Sequence, residues 1–347
     1  MDQDFVMIEH HHDRSPHLDS ISQYVDALND GLRKVSLEIH DHPELQYKEF
    51  HAHDGLTKYL ATQAGWKVTK SAHDIRTAFV AVYDSGRPGP TVSFNAEYDA
   101  LKGIGHACGH NLNAIASVGG ALAAAKLVTE ARLGGKVVLF GTPAEEGGGG
   151  KIKLLDAGAY KGVDVSLISH PGITANAALM RTAAYASFKV EYFGKEAHAA
   201  AAPWQGINAL DALITAYNAI SVLRQQTQPG DIIQGHITNG GLRPNIIHAY
   251  SAGMFVVRSR DRSRLEALKS RVLKCFDAGA IATGATVKVT PKSAYDDHMP
   301  NQALGGDIPP PELAGSTMAS TDQGNVSYHM PSISPNFWIR SESEDGQ

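Results

Sequence analysis

Cysteine is nearly missing from this chain. Cys108 and Cys275 are the only two in 347 residues, too few for a disulfide framework. Positive charge is not in excess either. With 31 Lys and Arg against 36 Asp and Glu, the formal net charge of -5 offers no basic face for nucleic acid. No stretch supplies the roughly 18 unbroken apolar residues that would cross a bilayer, so no membrane partner is expected. The start, MDQDFVMIEHHHD, lacks the positive charge and apolar core of a signal peptide, which favours a cytoplasmic protein. Internal repeats and long low-complexity tracts are absent. The Gly147–Gly150 run follows an acidic pair and lacks the GxGxxG spacing, which argues against a dinucleotide-binding protein.

Histidine is plentiful: 17 residues, many beside Gly, Pro or acidic residues at the ends of apolar runs. The run His10-His11-His12 reads as tail and is set aside. A mean hydropathy of -0.21 and 43% hydrophobic residues describe a soluble globular chain, long enough for two domains.

The first ~180 residues alternate helix and strand. Helical pattern covers Ile21–His40, Phe50–Ala64 and Asn113–Ala131. Strands are expected at Ala78–Tyr83, Thr91–Asn95, Lys136–Gly141 and Val163–Ser169. The last two are nearly continuous apolar runs, as parallel strands covered on both faces require. This is α/β grammar with a mostly parallel sheet. Near Thr182 the order becomes β-α-β-β-α-β: strand Ala186–Phe193, helix Asn208–Gln225, strands Ile232–Thr238 and Ala249–Arg258, helix Arg264–Ala282 and strand Thr286–Pro291. That is a ferredoxin-like α+β unit. The expected division is an α/β domain of residues 1–181 and 294–347, with residues 182–293 inserted into it.

Three strands of the first domain run into candidate metal ligands. Thr91–Asn95 leads to Glu97 and Asp99, then to His106-Ala-Cys108-Gly-His110-Asn111. Lys136–Gly141 leads to Glu145-Glu146 and four glycines, and Val163–Ser169 leads to His170-Pro-Gly. The carboxyl ends of parallel strands share one sheet edge, where ligand sites collect. Imidazole, thiolate and carboxylate suit zinc and its neighbours. A Glu-Glu pair lets one carboxylate hold metal while the other moves a proton. Each element alone has an ordinary reading: a buried cysteine, a core histidine, a solvated acidic pair. Together, each at a strand end, they point to one shared metal site.

The segments FNAEYDALKGIGHACGHN, GTPAEEGGGGK, SHPG, GKEAHAAAAPWQGINALDA and STDQGNVSYHMPSI resemble the aminoacylase and carboxypeptidase-G type of dinuclear metallopeptidase, and within it the aminobenzoyl-glutamate hydrolase and Xaa-Arg dipeptidase branch. The likeness runs from about His40 to Ile333. It implies a catalytic domain with an inserted lid that forms a homodimer. It also implies two divalent ions, zinc or manganese, and a small amide or dipeptide substrate cut next to a free carboxylate. By the same resemblance Cys108, His110, Glu146 and His170 are metal ligands, Glu145 is the general base, and Glu97 or Asp99 orients the ligands. His198 corresponds to a lid histidine that reaches a neighbouring subunit's cleft and stabilises the oxyanion. Asn245 and Arg258 correspond to residues that hold the substrate carboxylate.

Two departures from the family pattern stand out. Family members carry a final ligand histidine after the STDxGNVS segment. Here Ser334-Pro335-Asn336-Phe337 follows, and the last histidine, His329, falls inside the motif. The stretch Pro300–Pro309 also reads as shortened. The alternative to an active hydrolase is therefore an impaired homologue that serves as a binding or regulatory dimer subunit.

Overall fold

The computed structural model describes residues 16–173, 176–301 and 314–340. The His10–His12 run and the stretch from residue 302 to 309 lie outside them.

The larger sheet has six strands in the order Trp66–Lys70, Phe79–Asp84, Lys136–Gly141, Thr91–Ala96, Val165–Leu167 and Ser332–Ile333. The last four run parallel, and Phe79–Asp84 is antiparallel to both of its neighbours. The apolar run of Lys136–Gly141 explains how it is covered on both faces. Val137 and Leu139 face a core with Leu32, Leu56, Val118 and Leu122, while Val138 and Phe140 face Leu154, Tyr160 and Val326. The period of two along a strand sends neighbours to opposite layers.

Helix His110–Glu130 lies over the first face beside helix Leu18–Asp41. It is long and apolar enough to pass for a membrane span by length and composition, but half of its apolar window is buried inside the protein. It begins three residues before the expected Asn113, which puts His110 on its first turn. Strand Trp66–Lys70 was not expected. It is an edge strand, and its half-exposed pattern of small alternations carries little signal.

The second sheet is antiparallel, in the order Ile232–Asn239, Tyr250–Ser259, Ala184–Phe193 and Thr286–Tyr295. Helices Ala209–Leu223 and Arg262–Thr283 share its core through Ala212, Leu213, Ala216, Leu268, Val272 and Phe276. Side-chain caps start both helices: Asn208 accepts from Leu210 N–H and Asp261 from Arg264 N–H. The architecture is thus a mixed, mostly parallel α/β sheet with a ferredoxin-like α+β unit inserted before the chain returns at Tyr295.

Candidate metal centre

The parallel strands deliver their carboxyl ends to one edge. Thr91–Ala96 is followed by Glu97 and Asp99, Lys136–Gly141 by Glu145 and Glu146, and Val165–Leu167 by His170. Asp99 ties two of these segments together. Its Oδ1 accepts from Glu145 N–H at 3.0 Å and its Oδ2 from Glu146 N–H at 2.9 Å, while its carbonyl lies 2.8 Å from His110 Nδ1. That last contact turns His110 Nε2 inward.

Gly109 permits the third approach. Its φ is +77°, and a Cβ there would sit 2.6 Å from Pro171 Cγ. The Cys108 loop can therefore press against the His170 loop, and Cys108 Sγ comes within 3.7 Å of His170 Nε2. The His170 ring is fixed from behind by its Nδ1 contact to the Pro171 carbonyl at 2.8 Å.

His110 Nε2 lies 3.6 Å from Glu97 Oε2, 3.7 Å from Glu145 Oε2 and 4.0 Å from Glu146 Oε1. Both His110 Nε2 and Glu146 Oε1 are buried without a hydrogen-bond partner. Two groupings overlap here, Cys108–His110–His170 and His110–Glu145–Glu146, each with ligand atoms within 4.8 Å of one another. Orphaned buried polar atoms are costly unless something satisfies them. The mixed sulfur, nitrogen and oxygen set, with an excess of acids, suits a borderline divalent cation.

The electrostatics agree with that excess. Burial pushes Glu145 well above the usual carboxylate range, and the Glu97 charge adds to the shift. Burial also raises Glu146 and lifts the Cys108 thiol to about 11. Burial lowers His170. For His110 burial acts downward too, but the Asp99 and Cys108 contacts and the Glu97 charge together outweigh it and the imidazole is raised.

Beneath the cluster lie two residues that sequence reasoning left without a role. Lys151 is fully buried, and its ammonium pairs with Glu97 and, at 2.5 Å, with Asp322 Oδ1. Lys151 follows the glycine run and Asp322 belongs to the STDQGN segment, so both sat inside quoted motifs. Nothing in their spacing marks them as partners. Glu49 is another. Its Oε1 accepts from Ala144 N–H at 2.9 Å and steadies a residue held at a φ of +60° just before Glu145.

Arg258 reaches the same region. A cavity of about 170 Å³ is lined by Glu145, Glu146, Tyr185, Arg258, Tyr295 and Ser320. The guanidinium stacks 4.8 Å over Tyr185 and donates to the Met318 carbonyl at 3.0 Å and Ser320 Oγ at 2.9 Å.

His198 and Asn245 are not part of this assembly. His198 is exposed on the two-residue strand Ala197–His198, which pairs with Ile246–Ile247, and its Nδ1 accepts from Ala201 N–H at 3.0 Å. Asn245 is exposed beside it, and its carbonyl accepts from Ala199 N–H at 3.1 Å. His329 is exposed, bonded at 2.9 Å to the Asn325 carbonyl, and belongs to none of the ligand groupings among the described residues.

Residues 88–333 match the model of peptidase family M20/M25/M40. The chain belongs to that family. It is 40% identical over 355 residues to the Xaa-Arg dipeptidase of Homo sapiens, covering 93% of this chain and 80% of that protein. It is 30% identical over 302 residues to a p-aminobenzoyl-glutamate hydrolase chain of Escherichia coli (strain K12), covering 82% of this chain and 62% of that protein. Among solved structures, the fold is similar to an aminobenzoyl-glutamate utilization protein from Klebsiella pneumoniae, with a TM-score of 0.72 at 19% identity over 92% of this chain and 94% of the other. It is also similar to the Bacillus subtilis YXEP protein, described as a dinuclear metal binding peptidase of this family. There the TM-score is 0.66 at 20% identity, over 92% of this chain and 91% of the other. M20 relatives named as hydrolases and peptidases thus bear out the family read from the motifs.

Proposed function

We propose that this M20 chain hydrolyses an amide bond next to a free carboxylate, in an N-acyl amino acid or a dipeptide. It does so with two divalent ions, zinc or manganese, held by Cys108, His110, Glu146 and His170. The observation that carries the reading is the pair of buried, partnerless ligand atoms, His110 Nε2 and Glu146 Oε1, facing one another at the sheet edge. When bound, the ions supply Lewis acidity toward the amide carbonyl and the attacking water.

The chain's own residues do the rest. Glu145 takes a proton from water at its carboxylate and passes it to the leaving amine, and its raised proton affinity suits both halves of that task. Asp99 fixes the Glu145–Glu146 turn through two backbone N–H groups, and Glu97 stands against His110. Arg258, in the cavity beside Glu145, holds the substrate carboxylate with the planar fork of its guanidinium. Residues 182–293 act as the lid and dimerisation domain on a catalytic domain of 1–181 and 294–347. His198 and Asn245 then act on a neighbouring subunit, His198 by stabilising the oxyanion and Asn245 by holding substrate.

One observation favours the second reading, an impaired binding or regulatory subunit. Strand Asn336–Trp338 pairs with His170–Gly172, so the chain after the last motif passes directly beside His170. It brings Ser334, Pro335 and Asn336 there and no imidazole. A centre with fewer protein ligands holds metal more weakly.

The test is a metal count and an activity screen on the purified protein. Dipeptides, N-acyl amino acids and aminobenzoyl-glutamate form the panel. About two equivalents at this centre with turnover is expected, and Glu145→Gln should lower turnover by about 10²- to 10⁴-fold with metal content unchanged. Full turnover in Glu145→Gln refutes its role, and near-zero metal in the parent chain favours the impaired subunit.

A further inference from the structure

A second set of metal-ligating side chains lies outside the candidate centre. Glu38, His42 and His51 are all exposed, with ligand atoms within 4.8 Å of one another. They come from two helices. Glu38 is on the last turn of Leu18–Asp41, His42 follows that helix, and His51 is in the first turn of Phe50–Ala61.

The three side chains already neighbour one another. His42 Nδ1 lies 3.9 Å from Glu38 Oε2 and 2.8 Å from the Glu38 carbonyl, so this exposed ring binds an ion by giving up the carbonyl contact or by turning. His51 Nε2 lies 3.3 Å from Glu38 Oε2. The two imidazole rings stack with centroids 4.0 Å apart. The backbone of His51 is held as well, because Glu44 caps its helix, accepting from His51 N–H at 2.8 Å and from Ala52 N–H at 3.1 Å.

We propose that Glu38, His42 and His51 bind one divalent cation of the zinc type and that this ion clasps the two helix ends together. Two imidazoles and a carboxylate are a complete three-ligand set for tetrahedral zinc, with water in the fourth place. Exposed side chains can rotate to close the remaining separation.

The clasp would act on connection 42–49, which props up the catalytic loops. The Glu44 carbonyl accepts from Ala100 N–H at 2.8 Å. Tyr47 donates its hydroxyl to the Gly148 carbonyl at 2.6 Å, and Glu49 holds Ala144. Ala144 and Gly148 flank Glu145 and Glu146. A cation that binds the folded but not the unfolded chain stabilises the fold by an amount that grows with the logarithm of its concentration above Kd. Here that stabilisation bears on the support of the Glu145 loop, whatever reaction the loop serves.

The experiment compares the full chain with His42→Gln/His51→Gln, both carrying His10→Gln, His11→Gln and His12→Gln so that the terminal run contributes no sites. Each protein is equilibrated with micromolar buffered zinc, its zinc is counted, and its Tm is measured with and without the ion. The double variant should bind one equivalent fewer and show a smaller zinc-induced rise in Tm, each rise being taken from that protein's own metal-free Tm. Equal zinc counts in the two proteins overturn the site. One equivalent lost with an identical rise in Tm overturns the clasp. Neither result depends on hydrolase activity, so failure here is distinct from failure of the catalytic reading.

Discussion

Lys151 has no exposure to solvent, and the carboxylates of Glu97 and Asp322 close around its ammonium. Burial works against its charge, but the Asp322 and Glu97 charges outweigh that and raise its pKa. Burial likewise pushes Asp322 up, to about 6 even with Lys151 beside it. Removing one partner from such a group leaves an uncompensated buried charge, which costs about 3–5 kcal/mol. Lys151→Met should therefore lower the free energy of unfolding by that amount in a denaturant titration. Adding Asp322→Asn should recover part of the loss. If the double variant is as unstable as the sum of the two single ones, the carboxylates are not competing for one cation and this account fails. At this scale the sequence was legible only in part. Cys108, His110, Glu146 and His170 are residue types that metals select, each following an apolar strand run, and the shared carboxyl edge of parallel strands is what suggests that they meet. Lys151, Asp322 and Glu49 are chemically common residues. Their meaning lies in burial and pairing across 54 and 171 positions of chain, which no local pattern encodes.

The helices and strands were legible because hydrophobic period is a local property. The alternation of Ala184–Phe193 and the apolar run of Lys136–Gly141 each announce the face they bury. Sheet order and the edge strand Trp66–Lys70 were not, because pairing partners are chosen by tertiary packing. Helix contacts are also invisible locally, and two glycines separate local preference from packing. Gly279 lies in helix Arg262–Thr283, where a Cβ would come 2.3 Å from the Ala212 carbonyl oxygen of the facing helix. Gly55 lies in helix Phe50–Ala61 with nothing within 4 Å of its Cβ position. Helix propensity favours alanine at both by up to about 1 kcal/mol. Gly55→Ala should thus stabilise by about 0.5–1 kcal/mol, and Gly279→Ala should destabilise by about 1–3 kcal/mol through overpacking. Thermal melts of the two variants moving in the same direction would contradict the packing of Ala209–Leu223 against Arg262–Thr283.

For the molecule as a whole, the separation of His198 and Asn245 from the Glu145 cluster is the central geometric fact. The resemblance assigns both to a catalytic cleft, yet within one chain they sit exposed on the short ribbon of Ala197–His198 and Ile246–Ile247. Both statements hold together if a second copy supplies them, and a closed dimer with twofold symmetry completes two equal sites. Subunit mixing tests this directly. Glu145→Gln and His198→Ala would each be nearly inactive alone. In a mixed dimer, the subunit carrying His198→Ala keeps its own Glu145 and receives His198 from its companion, so one site of two is whole. At equal proportions half of the dimers are mixed, and turnover should return to roughly a quarter of the parent value after the subunits exchange. Persistent inactivity of an exchanged mixture would place the His198 contact within a single chain, and full activity of His198→Ala by itself would remove His198 from the reaction.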